Sequence, residues 1–572
     1  MDLTSLQAVL SELRPALLPS RFEKAQQATP QSLQLGLRSL QGIHWLELSW
    51  LAEAPRLHAI APPPRQGEGS TLAQQLQHGL RGLALVQLAQ SGWERVVELG
   101  FARRPGDGIE RTLVLELMGR HSNLFLLDAA RQVISLARQV REQHSRLRPI
   151  TTGDAYQPPP PLQGVPPSAA EPLAAWQHRL QLQPLPLGQA LLRSYQGVSP
   201  ALVSQLLSDP QDPSCDLPLA LTPVQDLGPQ HWQHLHGRWL HWLQAMEHQA
   251  FAYTARGSGY SCWLLPGHGA EPAVAALDKP PLTINQGLET YYGAALAQRQ
   301  HQALQSQWQQ RLQQLLQREQ RLLEEQQRRL VAGAQADVLQ QQADALLCQA
   351  NPERAVIEQA QGLYRKARRL RRSGAAIAER IAVHQQRQAW LETSLTFVEQ
   401  AETLAALQPL LQDLATALER ASAGRGRRQA SRPAGGGERP QPLELTSPAG
   451  LRLQVGRNHR QNEWIALRQA RRGDLWFHAQ ECPGSHVVLK ASEGVHGEAD
   501  LAAAAHLAAY FSRARGNGRV PVVMVETAAL QRIPGAQPGT VRHSGGTVIW
   551  GVPAEAVHIL EPAPSLPGET GP

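Results

Sequence analysis

Residues 287–420 constrain the fold of this chain more than any other stretch, because they are long, rich in Gln and Arg and almost free of glycine. Leu304, Trp308, Leu312, Leu315, Leu316, Leu322, Leu323 and Leu330 recur at three- and four-residue steps, which makes one apolar seam on an amphipathic coiled-coil helix. A chain that leaves on such a helix must return. Asn351-Pro352 interrupts the pattern near its middle, and a second helical pattern runs from about Arg354 to Leu418. The two predict an antiparallel coiled-coil arm. At 572 residues the chain is too long for one core, so separate modules are expected around that arm.

Before the arm, residues 1–175 mix short helical patterns with alternating strands such as Ile43–Leu51 and Leu113–Leu117, and predict a mixed α/β N-terminal domain. The prolines at 158–161 and Pro166-Pro167 predict an extended strap. Within residues 176–286, LGQALLRSYQ from Leu187 is followed by Gly197-Val198-Ser199-Pro200 and ALVSQLL ending at Leu207. Two short helices joined by a Gly-containing turn predict a helix-hairpin-helix, whose turn amides often face phosphate; an ordinary helical hairpin has the same pattern. Residues 421–442, with Arg425, Arg427, Arg428, Arg432 and Arg439, read as a mobile tether able to brush RNA, and residues 561–572 as a disordered tail. Between them, residues 443–560 alternate strands such as Leu451–Val455 and Val520–Val525 with an alanine-rich helix around Asp500–Ser512. That pattern predicts a compact α+β module, and the whole chain reads as multidomain α+β.

The charge balance favours an acidic partner: formal net charge is +7 and the pI about 9.5. Lys24, Lys279, Lys366 and Lys490 are the only lysines, so nearly all the positive charge is arginine, which grips phosphate bidentately and stacks on bases. A GC-rich coding sequence would give the same bias. On the arm, Arg365, Lys366, Arg368, Arg369, Arg371 and Arg372 sit so close that they repel one another unless anions neutralise them. Nucleic-acid contact is the expectation there, a solvated face the alternative. Cys215, Cys262, Cys348 and Cys482 are scattered singly, which fits reduced thiols. The N-terminal MDLTSLQAVLSELRP lacks the features of a signal peptide, and no apolar run reaches membrane-spanning length, so a cytoplasmic chain is expected.

Residues 474–490, DLWFHAQECPGSHVVLK, are the most chemically distinctive segment. Together with residues just upstream they supply candidate RNA contacts: Arg457, Asn458, Arg460, Asn462, Asp474, Trp476, Phe477, His478, Pro483, Gly484, Ser485 and His486. Aromatic faces stack on unpaired bases, and arginines hold the backbone. Neighbours on a strand point to opposite faces, so one of Trp476 and Phe477 should be core. His478, Cys482 and His486 recur every four residues like zinc ligands on a helix, but Pro483-Gly484 interrupts any such helix. Asp474, His478 and Ser485 have the residue types of a hydrolase triad without a nucleophile elbow or oxyanion loop. No catalytic residue, metal or cofactor is expected.

Two long motifs carry a family resemblance. The run VGRNHRQNEWIALRQARRGDLWFHAQECPGSHVVL, residues 455–489, resembles the C-terminal RNA-binding module of the NFACT family. Glu116-Leu117-Met118-Gly119-Arg120-His121-Ser122-Asn123-Leu124, followed by Leu127-Asp128, resembles the hallmark strand and turn of that family's N-terminal domain. The resemblance implies a ribosome-associated quality-control role. Such a protein docks on a large ribosomal subunit obstructed by peptidyl-tRNA and recruits tRNA, alanyl-tRNA in bacteria, so that the stalled nascent chain is tailed without mRNA. It also implies an adaptor rather than an enzyme, with rRNA, ribosomal proteins and a small S4-type RNA-binding helper as partners. For tRNA contact it implies Glu94, Arg95, Glu116, Leu117, Met118, Arg120, Ser122 and Asn123, with Glu94 in place of the family's Asp. Bland roles stand beside these: a buried strand for Leu117 and Met118, a capped turn for Ser122 and Asn123. Two alternatives remain: a fibronectin-binding surface adhesin, since some relatives were so described, and a nucleic-acid binder without tailing activity.

Overall fold

The computed structural model describes residues 1–65, 69–141, 148–207, 219–257, 259–264, 282–333, 335–348, 351–422, 439–533 and 536–560. Most of the expected tether and the whole expected tail lie outside the described residues. The chain divides into two compact units, Met1–Ala295 and Leu296–Pro572.

The first unit opens with α1 (Leu3–Leu17), whose N-terminus is capped by the Asp2 carboxylate accepting from the Ser5 amide. Nine strands follow: β1 (Ser20–Thr29), β2 (Ser32–Ser39), β3 (Gly42–Ser49), β4 (Arg56–Ile60), β5 (Ala84–Gln90), β6 (Val96–Ala102), β7 (Arg111–Glu116), β8 (Asn123–Leu127) and β9 (Val133–Leu136). They form one sheet in the order β4-β3-β2-β1-β5-β6-β7-β8-β9, with α2 (Thr71–Gly79) packed against β1. Every pairing in it is antiparallel, which corrects the expected α/β character. Short turns such as Gly42, at φ +127°, let consecutive strands pair directly, so the sheet needs no crossover helices.

A helical layer completes this unit: α3 (Leu173–Gln181), α4 (Leu187–Ser194), α5 (Pro200–Leu207) and α6 (Pro229–Glu247), followed by the hairpin β10 (Phe251–Arg256) and β11 (Gly259–Trp263). Trp232, Leu235, Trp239, Trp242 and Leu243 form one stripe along α6 and build a tryptophan-rich core with Trp176, Tyr195 and Trp263. The turn between α4 and α5 packs inward. Gly197 holds φ +73°, and a Cβ there would lie 2.8 Å from Leu3 Cδ2 and 2.9 Å from Trp93 Cε3. Ser199 Oγ caps α5 by accepting from the Leu202 amide and donates to Asp2 Oδ2 at 3.1 Å. The proline strap is pinned by the Val165 amide on the Ser194 carbonyl and by Gln196 on Leu162 and Gly164.

The long helix α7 (Ile284–Gly333) starts in the first unit and continues into the second. Its first turn is held by Glu12 of α1, which accepts from the Ile284 amide at 2.8 Å, the Asn285 amide at 3.1 Å and Asn285 Nδ2 at 2.7 Å. Three donors at a helix N-terminus and one carboxylate make a cap in which hydrogen bonding and the helix dipole agree in sign.

In the second unit α7 and α8 (Gln335–Leu347) run antiparallel to α9 (Arg354–Gln400). Ties recur along their length: His301 to the Ala401 carbonyl, Gln305 to that of Val398, Glu319 to His384 and Arg387, and Asp337 to Arg371. The apolar seam is deepest at one end, where Leu312, Trp390, Leu391, Phe397 and Val398 are buried together. By Leu330 it has turned outward, 38% exposed. Beyond that point Ala336, Ala343, Ala360 and Ala367 are buried instead, and their small side chains let the backbones approach closely. The return helix is not continuous to Leu418 as expected. It stops at Gln400, and α10 (Leu404–Ser422), capped by Thr403, adds Leu407, Leu410, Leu411 and Leu414 to the same cluster.

The remaining elements of this unit are β12 (Leu443–Thr446), β13 (Arg452–Val455), α11 (His459–Glu463), β14 (Leu475–Ala479), β15 (Val487–Leu489), α12 (Glu498–Tyr510), β16 (Val520–Glu526), β17 (Leu530–Arg532), β18 (Val541–His543), β19 (Thr547–Gly551) and α13 (Val557–Leu560). Six of the strands make an antiparallel sheet in the order β12-β13-β15-β14-β16-β19. The alanines of α12 cover one face. Ile465 and Ala466, from one turn of π-helix at Trp464–Arg468, cover part of the other with the hairpin β17–β18.

His459 joins this module to the arm. Its ring stacks on Trp390 at 4.8 Å, meets Phe397 edge-on at 5.2 Å, and its Nε2 lies 2.8 Å from Ser394 Oγ. Arg460 pairs with Asp413 and Gln400 donates to the Ser512 carbonyl beside it. Burial pushes the His459 imidazole down to about 3.

Two outcomes follow. Glu12→Ala should speed hydrogen exchange of the Ile284 and Asn285 amides by about fivefold, since a lost cap costs about 1 kcal/mol; unchanged protection would contradict the capping role. Because the folded His459 pKa lies below the unfolded value, stability is full above about pH 6.5 and falls as pH drops. This group alone contributes about 1.4 kcal/mol per pH unit. His459→Phe should therefore flatten the acid side of the urea-midpoint profile, and an identical slope in both proteins would refute this.

Candidate nucleic-acid interface

In the first unit, the register Val96↔Glu116 and the Leu117 amide on the Arg95 carbonyl at 2.9 Å bring the two predicted tRNA-contact segments side by side. Their side chains divide into scaffold and surface. Glu116 is 1% exposed and fully engaged: it accepts from Arg148 Nη1 at 2.9 Å and Nη2 at 2.6 Å, and from the Tyr156 hydroxyl at 2.8 Å. Burial and the adjacent carboxylate push the Tyr156 phenol up, so it stays a donor. Leu117 is core. Ser122 Oγ accepts from the Met118 amide, and Asn123 exchanges hydrogen bonds with both backbone groups of Arg138. Of the residues expected to contact tRNA, Glu116, Leu117, Ser122 and Asn123 are thus buried, and the polar ones are engaged in a turn and an ion pair.

What that scaffold presents is Arg120. It is exposed on a short turn begun by Gly119 at φ +56°, with Met118 half-buried before it and Arg138 donating to its carbonyl. Arg95 is half-exposed, its guanidinium 3.4 Å from the Met1 carbonyl. Glu94 makes no ion pair with it; its carboxylate accepts from the Leu162 amide at 3.2 Å, and burial raises its pKa. Glu94 and Arg95 are thus two separately held groups.

In the second unit the 474–490 segment is mostly interior. Asp474, 0% exposed, accepts from Lys490 Nζ at 3.0 Å, Ser492 Oγ at 2.6 Å and the Arg471 amide at 2.8 Å. Burial alone would raise the Asp474 pKa, but these donors outweigh it and hold the group below the usual carboxylate range. Lys490, 2% exposed, also donates to the Gln469 carbonyl, so the buried pair is hydrogen-bonded on both sides. Asp474 is therefore bound to Lys490 and Ser492, not to His478, and no triad forms.

Trp476 and Phe477 are both core, where only one was expected, because this sheet is covered on both faces. Phe477 packs with Val487 under α12, and Trp476 with Val488, Ile465 and Val525 on the other side. Asn458 caps α11, Asn462 Oδ1 accepts from the His486 amide, and Gly484 passes so close to Ser512 that a Cβ would meet it at 2.9 Å. Ser485 and His486 are buried as well. Of the candidate RNA contacts, Asn458, Asn462, Asp474, Trp476, Phe477, Gly484, Ser485 and His486 are thus buried and build the sheet and its turn. His478 and Pro483 are half-buried, Arg457 is exposed, and Arg460 is exposed while paired with Asp413. Among the described residues no group of three or more His, Cys, Asp or Glu is placed to hold a metal.

The exposed surface of this module is basic. Arg457, Arg468, Arg471, Arg472, Arg513, Arg519 and Arg542 are all exposed and form no ion pair among the described residues. The expected arm cluster is exposed too: Arg365, Lys366, Arg368, Arg369 and Arg372 are solvent-facing, whereas Arg371 is paired with Asp337 at 2.7 Å. Sequence reasoning missed Val548 and Trp550, 47% and 60% exposed on β19. The alternation of Val548 and Trp550 about the inward Ile549 was the available signal.

An antiparallel sheet domain, a helical arm and a second sheet module with unpaired surface arginines define a multidomain protein of the RNA-binding class. Residues 2–352 match the model of the NFACT N-terminal and middle domains, and residues 444–545 that of the NFACT protein RNA binding domain. The chain belongs to the NFACT family. Over 95% of its length it is 24% identical to the Rqc2 homolog RqcH of Bacillus subtilis (strain 168), covering 96% of that protein. Over 96% it is 25% identical to the Rqc2 homolog RqcH of Streptococcus suis (strain 05ZYH33), covering 97%. A solved structure, the C-terminal part of the fibronectin/fibrinogen-binding protein from Streptococcus suis, aligns at 25% identity and TM-score 0.37, over 44% of this chain and 95% of that one.

Lys490→Met leaves the Asp474 carboxylate buried without its cation. Urea unfolding of this unit should lose about 3–5 kcal/mol, and a loss below about 1 kcal/mol would refute the pairing's importance.

Proposed function

We propose that this protein is a ribosome-associated quality-control factor acting in the cytoplasm. It binds large ribosomal subunits obstructed by peptidyl-tRNA and recruits tRNA, alanyl-tRNA above all, so that the stalled nascent chain receives a C-terminal tail without mRNA. The observation that carries this reading is its end-to-end correspondence with proteins named Rqc2 homolog RqcH, about 95% of both chains, together with an RNA-binding module matched at residues 444–545.

In this reading the protein is an adaptor. It positions tRNA, and the ribosome makes the peptide bond. Arg95 and Arg120 hold tRNA phosphate or a base edge, with Met118 beside them, while Glu116, Arg148 and Tyr156 keep that turn in place. The arm cations Arg365, Lys366, Arg368, Arg369 and Arg372 and the surface arginines of the C-terminal module contact rRNA. A small S4-type RNA-binding protein assists. Among the described residues no helix is long and apolar enough to cross a membrane.

The test is a reporter translated from an mRNA without a stop codon, its C-terminus read by intact mass. Cells with the wild-type protein should give alanine-extended species, and cells lacking it none. Arg95→Glu with Arg120→Glu should cut tailing by about a hundredfold or more at unchanged protein level, since each charge-assisted contact is worth about 1.5–3 kcal/mol. Identical tails with and without the protein would end this reading.

A further inference from the structure

The register of the C-terminal sheet leaves part of its second face uncovered. Counting along the strands, Val488, Trp476 and Val525 form one row on that face, beneath Ile465, Leu530 and Val541. The next row holds His486, His478, Val523 and Val548, and the row after that Pro521 and Trp550. Exposure rises along this path: Trp476 is 3% exposed, Val548 47% and Trp550 60%. The cover supplied by the π-helical turn and the β17–β18 hairpin ends between the first and third rows.

An exposed tryptophan on a rigid strand, among Val548 and Pro521 and with no ring partner among the described residues, is a flat apolar surface held ready by backbone pairing. It continues into an ordered aromatic set. His478 stacks on Trp476 at 5.6 Å with an interplanar angle of 8°, and His543 lies 5.8 Å from the same indole. On this face Trp476 Nε1 and His486 Nδ1 are buried and have no hydrogen-bond partner among the described residues. Cations border it: Arg542 precedes His543 on β18, and Arg519 precedes Val520, which pairs with Gly551 next to Trp550. Both arginines are exposed and form no ion pair among the described residues.

We infer that this open face is a stacking platform for an unpaired base of single-stranded RNA, with Trp550 as the stacking ring and Arg519 and Arg542 as phosphate contacts. One aromatic plane flanked by exposed arginines without ion pairs among the described residues matches a base joined to its phosphates, and the face lies in the module that matches an RNA-binding family model. The inference rests on the proposal that the C-terminal module binds RNA, and adds which surface and which form of RNA.

The experiment uses the full-length protein with two probes, a short fluorescein-labelled oligouridine and an RNA duplex. Trp550→Ala should weaken oligouridine binding by on the order of tenfold and leave duplex binding unchanged. The slope of log Kd against log salt should stay unchanged, because an indole releases no counterion, and Trp550→Phe should recover most of the loss. Arg519→Ala and Arg542→Ala should each reduce that slope by about 0.7. Trp550 is exposed, so its truncation opens no core cavity, and an unchanged melting temperature checks this. Unchanged oligouridine affinity in Trp550→Ala would overturn the platform. So would loss of ribosome association at unchanged oligouridine affinity, which would assign the face to a protein partner. Wild-type protein that binds duplex alone would overturn the platform and spare the RNA-binding reading. Wild-type protein that binds neither probe would overturn both.

Discussion

The arm depends on a carboxylate at its root. Helices as long as α7 and α9 share only a narrow seam, and that seam gives way to alanines and buried polar ties away from its base. Helical propensity alone does not fix where such an arm begins or points. Glu12 fixes where α7 begins by accepting three donors from its first turn, and within the second unit His459 anchors the return helix by filling the space between Trp390 and Phe397. Both devices use polar chemistry to place a long element to within one turn. The second also ties the arm base to the C-terminal module within one compact unit.

A similar economy operates inside the sheet modules. Glu116 with Arg148, and Asp474 with Lys490, are buried ion pairs whose remaining hydrogen-bonding capacity is met by a tyrosine, a serine or backbone groups. A buried pair of this kind adds little net stability over an apolar replacement, but losing one partner is costly. Its use is to hold a turn. Beside Glu116 that turn presents Arg120; beside Asp474 it closes the strand carrying His478. Chemistry that looks functional in the sequence is here one step behind the surface that functions.

That distinction explains how much could be read from the sequence. The arm was legible because Leu304, Trp308, Leu312 and their successors repeat with the helix period. The C-terminal strands and the alanine-rich helix were legible through alternation and composition. The break at Gln400 was not, because Ala401-Glu402-Thr403 contains neither glycine nor proline, and the nearby helix breaker, Pro409, lies inside α10, where Leu407 and Leu410 complete a three-helix base. The antiparallel order of the first sheet was hidden because its strand signals resemble those of α/β folds. Within the 474–490 motif, polar and aromatic residues marked a module that matches an RNA-binding family model, but most of their side chains are interior. Burial of Trp476 depends on the π-helical turn and the β17–β18 hairpin, whose packing no local pattern encodes. Trp550, seventy residues downstream, reaches the same face only through the pairing of β14, β16 and β19.

The central claim is that these modules together hold RNA on an obstructed large ribosomal subunit. The measurement that tests it most directly is sedimentation of the tagged protein from lysed cells through a density gradient, with sequencing of the RNA that travels with it. The account predicts large-subunit rRNA together with one enriched tRNA species, whose identity names the amino acid added. Protein that stays at the top of the gradient, free of RNA, would contradict it.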